Sequence, residues 1–313
     1  MSYSLWLTLV LLGICLLLAG LTRAHWPDAT LALARRMAGM KRHATGIDGH
    51  EVVYYESGLH DAPVVLLLHG FGGDSLNWYR LAKRLRKQYR LIMPDLPGFG
   101  ETGVLPGKSY AIPAQIQRLK DFVDVLKLGR FHLVGNSMGG YLAAAFAAEF
   151  PSKVMSLALF NAAGVDMPRY SPYVQAVLAG DNPLVVRSRK DFERLLALVA
   201  HRKAWMPGYL KEFYARERAA SADEQEAIFK ESFMQPMMLK DKLPHVVAPT
   251  LILWGDDDRI LDISSIQPFR EGLPHAEIAV LPACGHLPML EKPAETARVW
   301  QSFIDRVDTL TTP

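Results

Sequence analysis

Five runs without apolar–polar alternation set the strongest limit on how this chain can fold. They are "APVVLLLH" (62–69), "YRLIMP" (89–94), "FHLV" (131–134), "VMSLALFN" (154–161) and "PTLILW" (249–254). A strand with one wet face alternates apolar and polar residues, so runs apolar along their whole length belong to strands buried on both faces. Segments with helical spacing separate them, around 77–88, 112–126 and 139–150. Strand and helix in alternation, with both sheet faces to cover, predict an α/β domain around a mainly parallel central sheet. "AEIAVL" (276–281) adds a strand, "AETARVWQSFIDRV" (294–307) a closing helix, and "IDGHEVVYYESG" (47–58) reads as a hairpin turning at Asp48-Gly49.

The alternation breaks once. From about Val165 to Val246 the chain shows helical patches rich in Met, Trp, Phe, Tyr, Arg and Lys, with no strand pattern. This predicts a helical insertion over the C-terminal strand edge, where open α/β sheets bind ligands. Its aromatic and methionine residues, such as Tyr173, Trp205, Met206, Phe229, Phe233 and Met238, are candidates to line an apolar acyl pocket. The expected layout is a transmembrane anchor (1–26), a basic amphipathic juxtamembrane helix (27–43), the first part of the core (44–164), a helical lid (165–246) and the second part of the core (247–313).

The anchor is expected because Leu5 to Leu21 carries no charged side chain. At 1.5 Å per residue, that run spans about 26 Å against a hydrocarbon core of about 30 Å. Tyr3 and the Arg23–Trp26 flank can serve as interfacial anchors. A cleaved signal peptide is disfavoured, since no Lys or Arg precedes the run and no small-x-small site follows it. The next segment, Pro27 to His43, has an apolar side and the basic residues Arg35, Arg36, Lys41 and Arg42, suited to anionic headgroups. Counting those charges places the body in the cytoplasm. With 313 residues, half of them hydrophobic, the chain can bury a full core, and a net charge of +3 gives no nucleic-acid footprint. Two cysteines, Cys15 and Cys284, offer neither a disulfide framework nor a thiolate metal cluster.

Chemistry enters at Gly135-x-Ser137-x-Gly139, directly between an apolar strand and a helix. Such a turn strains the serine and exposes its hydroxyl, while side chains at the flanking glycines would collide with backbone. Serine alone is a weak nucleophile, so a carboxylate and a histidine should follow in the chain. His286, after the last strand, is the candidate base. Asp256, Asp257, Asp258 and Asp262 crowd the loop after Trp254 as candidate orienting acids. Asn161 ends the preceding strand and cannot supply a charge. The backbone N–H of Met138 is one candidate oxyanion donor, and that of Phe71 in "HGFGG" the other; His69 reads as a structural histidine bracing that loop. The glycines lack dinucleotide-binding spacing, and neither a P-loop nor an HExxH motif occurs, so the expectation is no cofactor and no metal.

Together "HGFGG", "DLPGFG", "GNSMGG", "WGDDDR" and "CGHLPMLEKP" make residues 45–308 resemble the α/β-hydrolase fold family. The resemblance implies Ser137 as nucleophile, His286 as base, Asp258 as acid from its place in Gly255–Asp258, and Phe71 and Met138 at the oxyanion positions. With the apolar N-terminus, the chain also resembles membrane-anchored bacterial phospholipases A and single-span monoacylglycerol lipases. That implies a single-pass inner-membrane enzyme with a periplasmic body, against the charge count. Its partners would be membrane phospholipids, lysophospholipids or monoacylglycerols and the released fatty acids, with a homodimer formed through the N-terminal helices. Alternatives are a soluble-type carboxylesterase, a carbon–carbon bond hydrolase, in which a tryptophan commonly stands where Leu287 follows His286 here, and a noncatalytic lipid-binding receptor.

Overall fold

The computed structural model describes residues 26–202, 206–234 and 239–311, and in it the apolar runs become neighbours in one sheet. Its strands are β1 Lys41–Ile47, β2 His50–Gly58, β3 Val64–Leu68, β4 Arg90–Pro94, β5 Phe131–Ser137, β6 Val154–Ala162, β7 Thr250–Gly255 and β8 Glu277–Leu281. They lie in the order β1-β2-β4-β3-β5-β6-β7-β8. β2 pairs antiparallel with both its neighbours, and every pairing from β4 to β8 is parallel. Asp48 (φ 49°) and Gly49 (φ 81°) form the β1–β2 turn, both in the left-handed region that tight hairpins need.

Helices cover both faces. On one lie α3 (Ile112–Val125) and α4 (Met138–Glu149); on the other, α2 (Tyr79–Leu85) and α12 (Pro293–Thr311), α1 being Trp26–Met37. β3 shows why its run is apolar throughout: Leu66 and Leu68 join Phe122, Leu142 and Phe146 on one side. Val65 and Leu67 join Leu81, Leu85, Trp300 and Phe303 on the other. Each such burial contributes about 2 kcal/mol, so a polar residue at either parity would be costly.

Between β6 and β7 the described residues contain helices and no strand: α5 Pro172–Leu178, α6 Arg189–Val199, α7 Gly208–Ala220, α8 Ala222–Phe233 and α9 Leu239–Lys242. This lid packs around small clusters of its own, one of Val186, Phe192, Leu195 and Ala215, another joining Tyr173 and Phe229 to Ile260 of the loop after β7. The remaining helices, α10 Ile266–Gly272 and α11 Pro288–Glu291, flank β8.

The expected membrane anchor has to be corrected. Among the described residues no helix is long and apolar enough to cross a membrane, and the run 5–21 lies outside them. The transmembrane helix, the membrane-anchored single-pass inner-membrane placement with its periplasmic body, and the dimer through N-terminal helices are therefore not carried forward. The basic segment also differs physically from its expected headgroup role. The helix stops at Met37 and residues 41–47 are strand. Arg35 and Arg42 both turn to Glu101, at 3.2 and 2.7 Å, and Arg35 lies 4.8 Å from the Tyr55 ring centre. Thr30 bonds Tyr209 of α7 at 2.9 Å, so α1 is docked on the lid and core.

Candidate active site

β5 ends and α4 begins without a linker: Ser137 closes the strand and caps the helix with φ 55° and ψ −119°. The β5–β6 ladder slips between Asn136 and Ser137, where the chain leaves the sheet plane. The glycines around the serine are demanded by contact. A Cβ at Gly135 would lie 2.1 Å from the Gly139 carbonyl oxygen, and one at Gly139 2.2 Å from that of Leu68. A Cβ at Gly140 would lie 2.5 Å from that of Ala162, so α4 can press onto β6 only as glycine there. The turn thus lifts the serine hydroxyl to the sheet's C-terminal edge at the cost of a strained backbone.

His286 and Asp258 meet across the ends of β7 and β8. His286 Nδ1 stands 2.8 Å from Asp258 Oδ2, both side chains buried. The same oxygen accepts from Asn161 Nδ2 at 2.7 Å, while Oδ1 accepts from the N–H groups of Ile260 and Leu261 at 2.8 and 3.0 Å. A carboxylate so donated to accepts from Nδ1–H, which leaves the Nε2 lone pair of the neutral ring as the basic site. The neighbouring acids are engaged elsewhere. Asp257 holds His201 and Arg259 at 2.8 and 2.7 Å, Asp256 accepts from Cys284 N at 3.3 Å, and Asp262 pairs with Arg169 at 3.0 Å. Ser137 and His286 line one cavity, though no hydrogen bond joins Oγ to the ring among the described residues; such bonds often tighten only around substrate.

Two asparagines that motif reading passed over knit this arrangement together. Asn136, beside Ser137, donates to the Phe160 and His286 carbonyls, each at 3.0 Å, fixing the loop after β8 to the central strands. Asn161, unable to supply a charge itself, binds the Asp258 carboxylate directly. The available signal was an amide side chain at the end of each of two otherwise apolar strands.

Met138 is the first residue of α4, so its N–H has no acceptor within the helix. Phe71 sits in the loop after β3, its ring packed edge-on at 5.3 Å to Phe99 and 5.7 Å to Phe229. His69 beneath it is fully engaged: Nδ1 meets the Gly70 carbonyl at 2.8 Å and Nε2 receives the Leu96 N–H at 2.9 Å. The ring is therefore the neutral Nδ1–H tautomer, and burial holds its pKa below the ordinary histidine value.

The cavity, about 900 Å³, is roofed by the lid. Its lid lining is largely aliphatic, from Leu184, Leu195, Leu196, Val199 and Leu210, with Phe192 and Tyr214. Of the aromatic and methionine candidates named from sequence, Met206 lines it, Tyr173, Phe229 and Phe233 pack in the cluster that joins the lid to Ile260 and Phe71, and Trp205 and Met238 lie outside the described residues. The helical insertion is stitched to the loop after β8: His286 N donates to Val199 O at 2.9 Å, and Glu291 accepts from Gly285 N and His201 N at 3.0 and 2.8 Å. Burial raises the pKa of the Glu291 carboxyl. Among the described residues no cluster of His, Cys, Asp and Glu could hold a metal ion.

Residues 63–293 match the family model for the alpha/beta hydrolase fold. The chain is similar to Lipase 1 of Psychrobacter immobilis, 32% identical over 257 residues that cover 82% of this chain and 81% of that one. It is 28% identical to the monoacylglycerol lipase ABHD6 of Mus musculus over 298 residues, 90% of this chain and 89% of that protein. A solved membrane phospholipase A, described as a bacterial virulence factor, superposes with a TM-score of 0.89 at 38% identity, covering 98% of this chain and 99% of that one. The resemblance carried by the sequence motifs is thereby borne out, and the chain belongs to the α/β-hydrolase fold family as a serine hydrolase.

Proposed function

We propose that the protein hydrolyses acyl esters of lipids through an acyl-enzyme formed on Ser137. The observation that carries this reading is the buried His286–Asp258 pair, 2.8 Å apart, opening on the same cavity as the strained serine. Ser137 Oγ attacks the ester carbonyl while His286 Nε2 takes its proton; Asp258 holds the ring and stabilises the imidazolium. The N–H groups of Met138 and Phe71 receive the oxyanion. Collapse breaks the C–O bond, and His286 returns the proton to the departing alcohol. Water then repeats the sequence, His286 taking its proton, and the carboxylic acid leaves. Substrate class follows from two supports: the aliphatic lining of the cavity, and relatives named as lipases of monoacylglycerols and phospholipids.

Turnover of p-nitrophenyl esters from butyrate upward, and of a monoacylglycerol, tests the reading. Each methylene buried in the cavity is worth about 0.8 kcal/mol, or roughly fourfold in kcat/KM until the space is filled. Ser137→Ala should lower kcat by about 10⁶-fold if the group behaves as a linked nucleophile and base do in serine proteases. Unchanged turnover, or a fluorophosphonate label on another residue, would sink the assignment.

A further inference from the structure

Arg218 stands in the last turn of α7 and reaches out of the lid to the loop after β3, where Nη2 donates to the Gly72 carbonyl. Its guanidinium lies 5.9 Å from the Phe192 ring centre and lines the cavity with Ser137 and His286. Three other lid arginines are held by carboxylates: Arg187 by Asp223 and Glu226, Arg189 by Glu193 and Glu212, Arg194 by Asp181. Arg218 is instead held by a peptide carbonyl; Asp74 acts on it through space, and burial lowers its pKa. A half-buried guanidinium held by a neutral carbonyl and not by a carboxylate gains less from its contact, which makes its position worth explaining.

The bond to Gly72 is the first of a series. The Gly72 carbonyl and the Gly73 N–H belong to one planar peptide, and that N–H donates to the Gly70 carbonyl at 3.0 Å. The Gly70 carbonyl and the Phe71 N–H form another planar peptide, in which the N–H points opposite to the oxygen. Whatever holds Gly70 O inward therefore aims Phe71 N–H outward. His69 does so from the core, at 2.8 Å. We propose that Arg218 does so from the lid: it is a positioning residue that aims the Phe71 N–H at the developing oxyanion and polarises it through two peptide groups. The proposal rests on the reading of Phe71 as an oxyanion donor. Amides in series strengthen one another, so the cation's effect falls on the negatively charged transition state more than on the neutral ester. Gly72 is fitted to this contact, with φ +65° and a Cβ that would lie 2.8 Å from Arg218 Nη1.

The test compares wild type, Arg218→Met and Arg218→Lys on a neutral p-nitrophenyl ester, on an ester with an anionic alcohol portion, and with a trifluoromethyl ketone, which forms a tetrahedral oxyanion adduct on the serine. Arg218→Met should lose about tenfold in kcat on both esters with KM within about twofold, and its ketone affinity should weaken in parallel. Arg218→Lys should recover most of the loss, because a single carbonyl needs one charged donor and not a fork. Unchanged kcat in Arg218→Met overturns the proposal. So does a loss confined to KM of the anionic ester, which would make Arg218 a substrate-anion site, or an equal loss in Arg218→Lys with a lowered Tm, which would make it lid packing. A wild-type enzyme that turns over ester yet ignores the ketone defeats the oxyanion reading itself; a ketone-sensitive wild type with an equally sensitive Arg218→Met defeats this proposal alone.

Discussion

His69 and His286 occupy equivalent places, and their ring nitrogens are engaged in opposite ways. Each follows the C-terminal end of a parallel strand, each is buried, and each has Nδ1 in a hydrogen bond of 2.8 Å. For His286 that partner is a carboxylate, and the other ring nitrogen belongs to a side chain lining the cavity. For His69 it is a peptide carbonyl, and the other nitrogen already accepts the Leu96 N–H. Taking up a proton would cost His69 that bond and place a charge in a site without a contacting carboxylate. Residue type and strand-end position therefore do not make a base; the partner of each ring nitrogen does.

The largest loss is expected at His286. His286→Ala should cost about as much as loss of the nucleophile, roughly 10⁶-fold in kcat, with folding retained. A residual rate above a few per cent of wild type would mean another group takes the proton. Asp258→Asn should come next, at about 10⁴-fold, because the amide favours the wrong ring tautomer. Asp257→Asn is the control: its carboxylate faces His201 and Arg259, and its rate should stay within a few-fold of wild type. If Asp257→Asn were the crippled variant, the orienting acid would be misassigned. His69→Gln should fall well below both, about 10- to 100-fold in kcat, since it misaims an oxyanion donor without removing one. The pH dependence of what remains should match wild type. A shifted profile would show His69 titrating in the reaction and erase the contrast.

These assignments were legible in the sequence to different depths. β3 to β7 were legible because burial on both faces leaves a compositional trace that no helix of one wet side imitates. β1 left none: "KRHATGI" is an edge strand whose side chains are exposed or half-buried up to Ile47, and its basic residues read as the end of a helix. Ser137, His286 and the cluster of acids stood out by motif and chain order. Asn136 and Asn161 did not, because their bonds reach 150 and 97 residues along the chain and exist only once the strands are side by side. The lid was legible as helical but not by face. Periodicity names an apolar stripe without saying whether it meets packed neighbours or the cavity: Tyr173, Phe229 and Phe233 do the first, while Phe192, Leu195, Leu196 and Val199 of α6 line the second.

A third buried histidine sharpens the contrast through stability and leaves catalysis alone. His132, within β5, bonds Ser156 Oγ at 2.9 Å and lies edge-on to Trp300 and Tyr89, at ring separations of 6.0 and 6.3 Å. Burial drives its pKa from 6.5 down to about 4. The unfolded chain therefore binds a proton that the native state refuses, so the stability this residue supports is complete above pH 6.5 and is lost as pH falls towards 4. A shift of that size corresponds to on the order of 3 kcal/mol at its limit. Asp95 works in the other direction. Burial raises it to about 7, so the native state holds a proton that the unfolded chain releases, and its contribution grows as pH falls from 7 towards 4. Asp95 and Glu291 act against His132 and His69 in the wild-type curve, which is why the variant is the informative measurement. His132→Gln keeps a partner for Ser156 and removes the histidine's loss while leaving the Asp95 gain. Urea midpoints taken between pH 7 and pH 5 should therefore rise, or fall less, in His132→Gln than in wild type, with ester turnover at pH 7 the same in both. Parallel curves would mean that His132 is protonated in the folded protein, and that a buried ring at this depth in the sheet is not kept neutral as His69 is.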